Sequence, residues 1–207
     1  MKPIRISGIT VDRAERWMAH EEQQPDDEHL MLLSGQGDGS AFSLLVVRHW
    51  HRLHGWMFRL THERQTAEDL TQETFLKAWK AAGSYRPGPG FRVWLFRIAR
   101  NAWIDHSRRN RKLPDTAGAE NLSAESLGPQ EAAMLKERDA MLEQAVRELA
   151  VEYREPLLLR CTQSLTFAEI GQIMGVKEDT VRWRVYKARK LLLERLGTWA
   201  SDRDTSE

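Results

Sequence analysis

The stretch TFAEIGQIMGVKEDTVRWRVYKARKLL, residues 166–192, decides the fold of the C-terminal half. Thr166 and Glu169 have the spacing of a capping box, in which a hydroxyl and a carboxylate satisfy backbone amides at a helix start. Ile170, Ile173 and Met174 supply one apolar face, and Gly175 permits the left-handed residue that stops a helix. Beyond a short turn, Val181, Val185, Ala188 and Leu192 recur at helical steps and form the buried seam of a second helix. Its other face shows Arg182, Trp183, Tyr186, Lys187 and Lys190. Two helices so arranged form a helix-turn-helix, and a basic, aromatic second helix suits a major groove. An ordinary helical hairpin with a solvated basic face fits the same pattern.

Working outward, the rest of the chain also has a helical period. Phe42, Leu45, Val46, His49, Leu53, Trp56, Met57 and Leu60 share one face of a long helix starting near Ser40. Thr66 with Asp69 resembles a second capping box, opening a helix through about Ala82. After the loop GSYRPGPG, residues 83–90, another helix turns Phe91, Trp94, Leu95, Ile98 and Ala102 inward. Helices over Met134 to Leu149 and Tyr153 to Thr162 precede the helix-turn-helix. No strand-like alternation competes, so the expected fold is all-α: two small helical domains joined by a flexible linker. The segment KLPDTAGAENLSAESLGP, residues 112–129, is poor in large apolar side chains and reads as that linker. The expected division is an N-terminal extension over 1–27, a domain over 28–112, a linker over 113–130, a domain over 131–197 and a tail over 198–207.

The 207 residues carry a net charge of only +1, but the charge is segregated. Residues 1–40 sum to −4, 91–112 to +6, 113–155 to −6 and 176–195 to +4. Two basic blocks separated by an acidic stretch suit two surfaces that meet a polyanion. No apolar run approaches the roughly 18 to 20 residues of a membrane span, and the N-terminus has no signal-peptide core. The single cysteine, Cys161, forms no internal disulfide and fits a reducing cytoplasm. His51 and His54 are partners at helical spacing, but no HExxH motif or cysteine cluster completes a zinc site. The reading therefore calls for no metal, no cofactor and no membrane insertion.

Two further surfaces stand out. Arg97, Arg100, Asn101, Ile104 and Arg108 form a stripe opposite the core face of their helix. The arginines suit phosphates, while the Asn101 amide has the donor and acceptor needed to read a base edge. Aromatics beside such a stripe suit unstacked bases, but Phe91, Trp94, Phe96 and Trp103 fit the core better. Asp69, Gln72, Glu73, Leu76 and Lys80 share one face of the preceding helix, whereas Leu70, Thr74, Ala78 and Ala81 form another. Mixed carboxylate and apolar groups suit docking to a protein of complementary charge, or simply a solvated face.

Four stretches together resemble a known family: SAFSLLVVRHWHRL (40–53), AEDLTQETFLKAW (67–79), FRVWLFRIARNAWIDHSRR (91–109) and LTFAEIGQIMGVKEDTVRWRVYKAR (165–189). They are similar, in order and spacing, to the sigma-70 family of bacterial transcription initiation factors, in its small extracytoplasmic-function (ECF) branch. The resemblance implies that 28–112 is sigma region 2, binding the beta prime clamp helices of core RNA polymerase and melting the minus-ten promoter element. By position, Asp69, Gln72, Glu73 and Leu76 match the core-binding helix. Asn101 matches the asparagine that contacts a flipped base, with the 83–90 loop helping to form its pocket and Arg97, Arg100 and Arg108 alongside. Residues 131–197 would be region 4, with Arg182, Trp183, Tyr186 and Lys187 reading the minus-thirty-five element. The linker would cross the polymerase channels. The implied partners are the polymerase core, including its beta subunit, promoter DNA and an anti-sigma factor. The implied role is a cytoplasmic, non-enzymatic factor for a stress- or signal-responsive regulon, because phosphodiester chemistry belongs to the polymerase.

Three positions depart from the family pattern. Trp183 stands where a small residue is usual, Lys177 where Ser or Thr caps the helix, and Ala150 where proline is frequent. The indole either faces the groove or turns back on the first helix of the pair; the groove is favoured, because Val181, Val185, Ala188 and Leu192 already supply the seam. The rival reading is a DNA-binding regulator using the second domain alone. It leaves the Asp69 to Lys80 face and the Asn101 stripe without a role, and core binding discriminates the two.

Overall fold

The computed structural model describes residues 5–6, 9–10, 25–110 and 139–204, with side chains over 25–110 and 139–197. The expected linker over 113–130 and most of the extension over 1–27 lie outside the described residues, as does the start of the helix expected from Met134. Apart from a two-residue antiparallel ladder, Arg5–Ile6 with Ile9–Thr10, the described chain is helical, and the fold is all-α. The helices are α1 Asp27–Gly35, α2 Gly39–Thr61, α3 Arg64–Ala81, α4 Phe91–Asn110, α5 over 139–147, α6 Val151–Gln163, α7 Phe167–Met174 and α8 Glu178–Asp204. A 3-10 turn, Ala82–Ser84, follows α3. None of the described helices is long and apolar enough to cross a membrane.

The chain divides into two compact units, the first built on α1 to α4 and the second on α5, α6, the start of α7 and α8. In the first, α2 packs on α1 and α3, and α4 packs on α3. Helix α2 starts at Gly39 because the Asp38 carboxylate accepts from the amides of Ser40 (2.8 Å) and Ala41 (3.1 Å). All eight apolar-face residues expected on it are buried. Trp56, Phe42, Phe75, Phe91 and Phe96 are among the fully buried side chains, and each contributes about 2 kcal/mol or more of transfer free energy. The rings meet edge-on, Phe42 with Phe75 at 6.4 Å and Trp56 with Phe96 at 5.3 Å.

Three local expectations need correction. Helix α3 starts at Arg64, not at Thr66: the Thr66 hydroxyl donates to the Glu63 carboxylate, and Asp69 accepts from Gln65 at 2.9 Å, so the two make no capping box. On α4, Trp94 and Ile98 are only half-buried, while Val93, Phe96, Ala99 and Trp103 are buried. The helix touches α1, α2 and α3, so its covered arc is wider than a single stripe. Asp27, placed in the extension, opens α1 and belongs to the folded unit, where it pairs with Arg48 (3.1 Å) and His49 (2.7 Å).

In the second unit, α6 packs on α8, with Leu157, Leu158 and Leu159 buried. The capping box at residue 166 forms as expected. Glu169 accepts from the Thr166 amide and hydroxyl, both at 2.7 Å, while the Thr166 oxygen accepts from the Glu169 amide at 3.2 Å. Gly175 has φ +68° and closes α7. A Cβ on Gly171 would stand 2.8 Å from the Val176 carbonyl oxygen, so the turn is tight enough to require glycine there too. The seam of α8 is buried at Val181, Val185, Ala188 and Leu192. The helix continues to Asp204, through most of the expected tail.

Candidate nucleic-acid interface

Burial of one arc of α4 forces the opposite arc outward. Arg97, Asn101 and Arg108 are exposed, and Arg100 and Ile104 are half-buried. Among the described residues, no carboxylate pairs with Arg97 or Arg108. Arg108 and Arg109 also occupy the last turn, where cations complement the helix dipole. The stripe is thus a row of donors with an amide in its middle, suited to phosphates on either side of a base.

The loop before α4 is fixed from a distant element. Glu28 on α1 accepts from the Tyr85 hydroxyl (2.7 Å) with one carboxylate oxygen and from the Phe91 amide (2.9 Å) with the other. Burial, together with the hydrogen bond and charge of Glu28, pushes the Tyr85 phenol well above its ordinary range. The Tyr85 ring also meets Trp94 edge-on at 5.1 Å. Beside this contact, Asp27 holds Arg48 and His49, and Arg48 donates to the Pro25 carbonyl at 2.7 Å. Burial works against the Asp27 carboxylate, but His49 and Arg48 outweigh it and hold the group below its ordinary value. Sequence reading missed this support, because Glu28 and Tyr85 lie 57 residues apart and neither belongs to a periodic pattern.

On α3, Asp69 and Lys80 are exposed, while Gln72, Glu73 and Leu76 are half-buried. Glu73 pairs with Lys77 at 2.7 Å, and Gln72 donates to Glu68 at 3.4 Å. Of the four residues expected on another face, Leu70, Thr74 and Ala78 are buried and Ala81 is half-buried, so the carboxylates and Leu76 lie on the outer side of α3, in the same unit as the Asn101 stripe. The minus-thirty-five candidates lie in the other unit.

There the candidate DNA-reading residues of α8 lie at its surface. Trp183 is 55% exposed and Tyr186 67%; Lys187 is half-buried. The Trp183 ring touches Tyr153 of α6 edge-on at 5.9 Å. Arg182 is not a loose side chain. It pairs with Glu178 at 2.7 Å, and its guanidinium lies 4.9 Å from the centre of the Phe167 ring. Arg160 lies 5.0 Å from the same ring and donates to the Leu165 carbonyl at 2.7 Å. Phe167 thus orients two guanidiniums at the start of the helix-turn-helix. An aromatic immediately after the Thr166 cap was the only sequence signal for it.

Two helical units, one a helix-turn-helix and the other carrying a basic stripe, fit the class of multi-element DNA-binding factors. Residues 45–113 match the family model for sigma-70 region 2, and residues 139–192 match that for sigma-70 region 4. The chain is 32% identical over 179 residues to the RNA polymerase sigma-H factor of Pseudomonas aeruginosa, covering 82% of this chain and 93% of that one. It is 32% identical over 200 residues to the ECF RNA polymerase sigma factor SigE of Mycolicibacterium smegmatis, covering 89% of this chain and 77% of that one. Among solved structures it is similar to CnrH in complex with the cytosolic domain of CnrY, with TM-score 0.64 and 25% identity over 83% of this chain and 97% of that one. It is also similar to the sigma factor RpoE of Bartonella quintana in complex with the anti-sigma factor NepR, with TM-score 0.63 and 25% identity over 75% and 96% of the two chains. The chain belongs to the ECF branch of the sigma-70 family and is an RNA polymerase sigma factor.

Proposed function

We propose that the three outward faces divide the work of promoter-directed initiation. The Asp69, Gln72, Glu73 and Leu76 face of α3 docks on the beta prime clamp helices of core polymerase. The Arg97, Arg100, Asn101 and Arg108 stripe of α4 holds and reads the opened minus-ten element. The Arg182, Trp183, Tyr186 and Lys187 face of α8 reads the minus-thirty-five element. In this reading, 28–112 acts as region 2, 131–197 as region 4 and 113–130 as the connection through the polymerase, where the beta subunit also contacts the factor. The protein works in the cytoplasm on a signal-responsive regulon and leaves the phosphodiester chemistry to the polymerase. A dedicated anti-sigma factor holds it back, in keeping with the complexes in which CnrH and the Bartonella RpoE were solved.

The observation that carries the reading is the exposure of Asn101 between arginines on a helix whose opposite arc is buried. In this reading the α4 arginines position the strand through its phosphates, and the Asn101 amide reads a base edge. Asn101→Ala in reconstituted holoenzyme should relax discrimination at one minus-ten position, while Arg97→Ala should weaken binding to all sequences and flatten the salt dependence by about one phosphate equivalent. Run-off transcription on a promoter library, read at two salt concentrations, separates these effects. An identical uniform loss from both variants would refute the division of labour. Asp69→Lys with Glu73→Lys should abolish co-purification with core while leaving helical circular dichroism unchanged.

A further inference from the structure

Helix α4 begins without a capping side chain of its own. Gly90, with φ +92°, accepts from the Trp94 amide at 3.1 Å, but it has no side chain to satisfy the first free amides of the helix. Glu28 supplies that acceptor from 63 residues away in sequence, at 2.9 Å from the Phe91 nitrogen. A carboxylate there also faces the positive end of the helix dipole. Capping needs only one oxygen. The other takes the Tyr85 hydroxyl, so one side chain holds the residue that enters the loop and the residue that leaves it.

The loop between these anchors has the opposite character. Tyr85 and Phe91 are only 3% and 2% exposed, whereas Arg86, Pro87, Gly88 and Pro89 are all exposed. Pro87 and Pro89 restrict the backbone within the span. A short, stiff, exposed loop tied at both ends to one carboxylate has little freedom to shift along α4 without breaking two charge-assisted hydrogen bonds. Asn101 lies on α4 itself, so the same clip sets where the loop stands relative to the reading amide.

We propose that Glu28 is a positioning residue for minus-ten base selection, fixing the 86–90 loop on α4 so that loop and Asn101 present one pre-formed pocket to the extruded base. This rests on the reading of Asn101 and the loop given above. A reader held in place loses less conformational freedom on binding and tolerates the wrong base less well. Tyr85 is the second half of the clip, and Trp94, edge-on to its ring, supports it.

The test uses holoenzyme assembled from bacterial core polymerase and the full chain, transcribing a DNA library randomised through both promoter elements, with sequenced transcripts as the readout. Glu28→Gln keeps the size of the side chain but removes its charge and one of the two acceptor oxygens that tie Tyr85 and Phe91. Tyr85→Phe keeps the ring and removes only the hydroxyl, and so remains informative should Glu28→Gln impair folding. Both should lower discrimination at the position affected by Asn101→Ala by about five- to tenfold, with core affinity and minus-thirty-five preference unchanged. Altered preference in Asn101→Ala alone overturns the clip and keeps the base-reading assignment. Altered preference in Glu28→Gln and Tyr85→Phe but not in Asn101→Ala keeps the clip and overturns the role of Asn101. A uniform loss across all sequences in both clip variants shows that Glu28 serves stability alone and overturns the proposal.

Discussion

In the first unit, the surface proposed to read the minus-ten element is held by residues far apart in the chain. Tyr85 and Phe91 reach back 57 and 63 residues to Glu28, and His49 reaches back 22 to Asp27. In the second unit, the corresponding contacts are local. Thr166 and Glu169 are three residues apart, Arg182 and Glu178 four, and Arg160 and Leu165 five. Longer contacts there include Arg195 to the Ala145 carbonyl (3.2 Å) and to Glu148 (3.3 Å), the Trp183 ring on Tyr153 (5.9 Å) and the Arg182 guanidinium on Phe167 (4.9 Å). The difference has a mechanical meaning. Local contacts form with their helices, whereas the ring contacts of Phe167 and Trp183 also need α6 packed beside them. The α4 face is aimed correctly only when α1, α2 and α3 are already packed.

That contrast is broken most forcefully by Trp56→Ala. Removing a fully buried indole from the first unit should cost about 3–5 kcal/mol and leave a cavity that α2 cannot close. Urea unfolding followed by circular dichroism, with DNA binding measured in parallel, should show minus-ten recognition lost while minus-thirty-five binding survives. Simultaneous loss of both would show that the units do not behave independently.

Asp27→Ala should have the next largest effect, about 2 kcal/mol at neutral pH, because it removes the acceptor shared by Arg48 and His49. It also has a pH signature. Asp27 is held below its unfolded value of 3.8, so its stabilisation is complete above about pH 4 and is lost as the pH falls through the depressed folded value. Chemical unfolding at a series of acidic pH values should show this loss in the wild type and a flatter profile in Asp27→Asn.

Thr166→Ala should have the smallest effect, about 1 kcal/mol, because a cap is lost but the seam of α8 remains. Thermal melts of the full chain should resolve a small shift confined to one transition. A collapse of the second unit instead would mean that its local contacts matter as much as the long-range ones do in the first.

Legibility from sequence followed the same divide. The buried faces of α2 and α8, the Thr166 cap and the Gly175 stop all have periodic or short-range signatures, and each appears where the pattern placed it. Thr66 with Asp69 had the same cap signature and failed, because Glu63 and Gln65 bind those side chains first. Spacing alone does not reveal which of several neighbours a short polar side chain will choose. Trp94 and Ile98 were placed inward by a one-face model, whereas α4 is covered from more than one side. Trp183 was expected to be groove-facing or folded back, and it is more than half exposed with one edge on Tyr153.

The sequence by itself determined the helical class, the helix-turn-helix and the outward placement of Asn101 and Arg182, because these depend on 3.6-residue periodicity and on contacts within one or two turns. Tertiary structure alone decided that Glu28 caps α4 and grips Tyr85, that Asp27 belongs to the folded unit, and that Phe167 gathers Arg160 and Arg182. Each of these depends on which elements pack side by side. A carboxylate or a ring carries no mark in the one-dimensional pattern of the partner that packing will bring within 3 Å of one or 5 Å of the other.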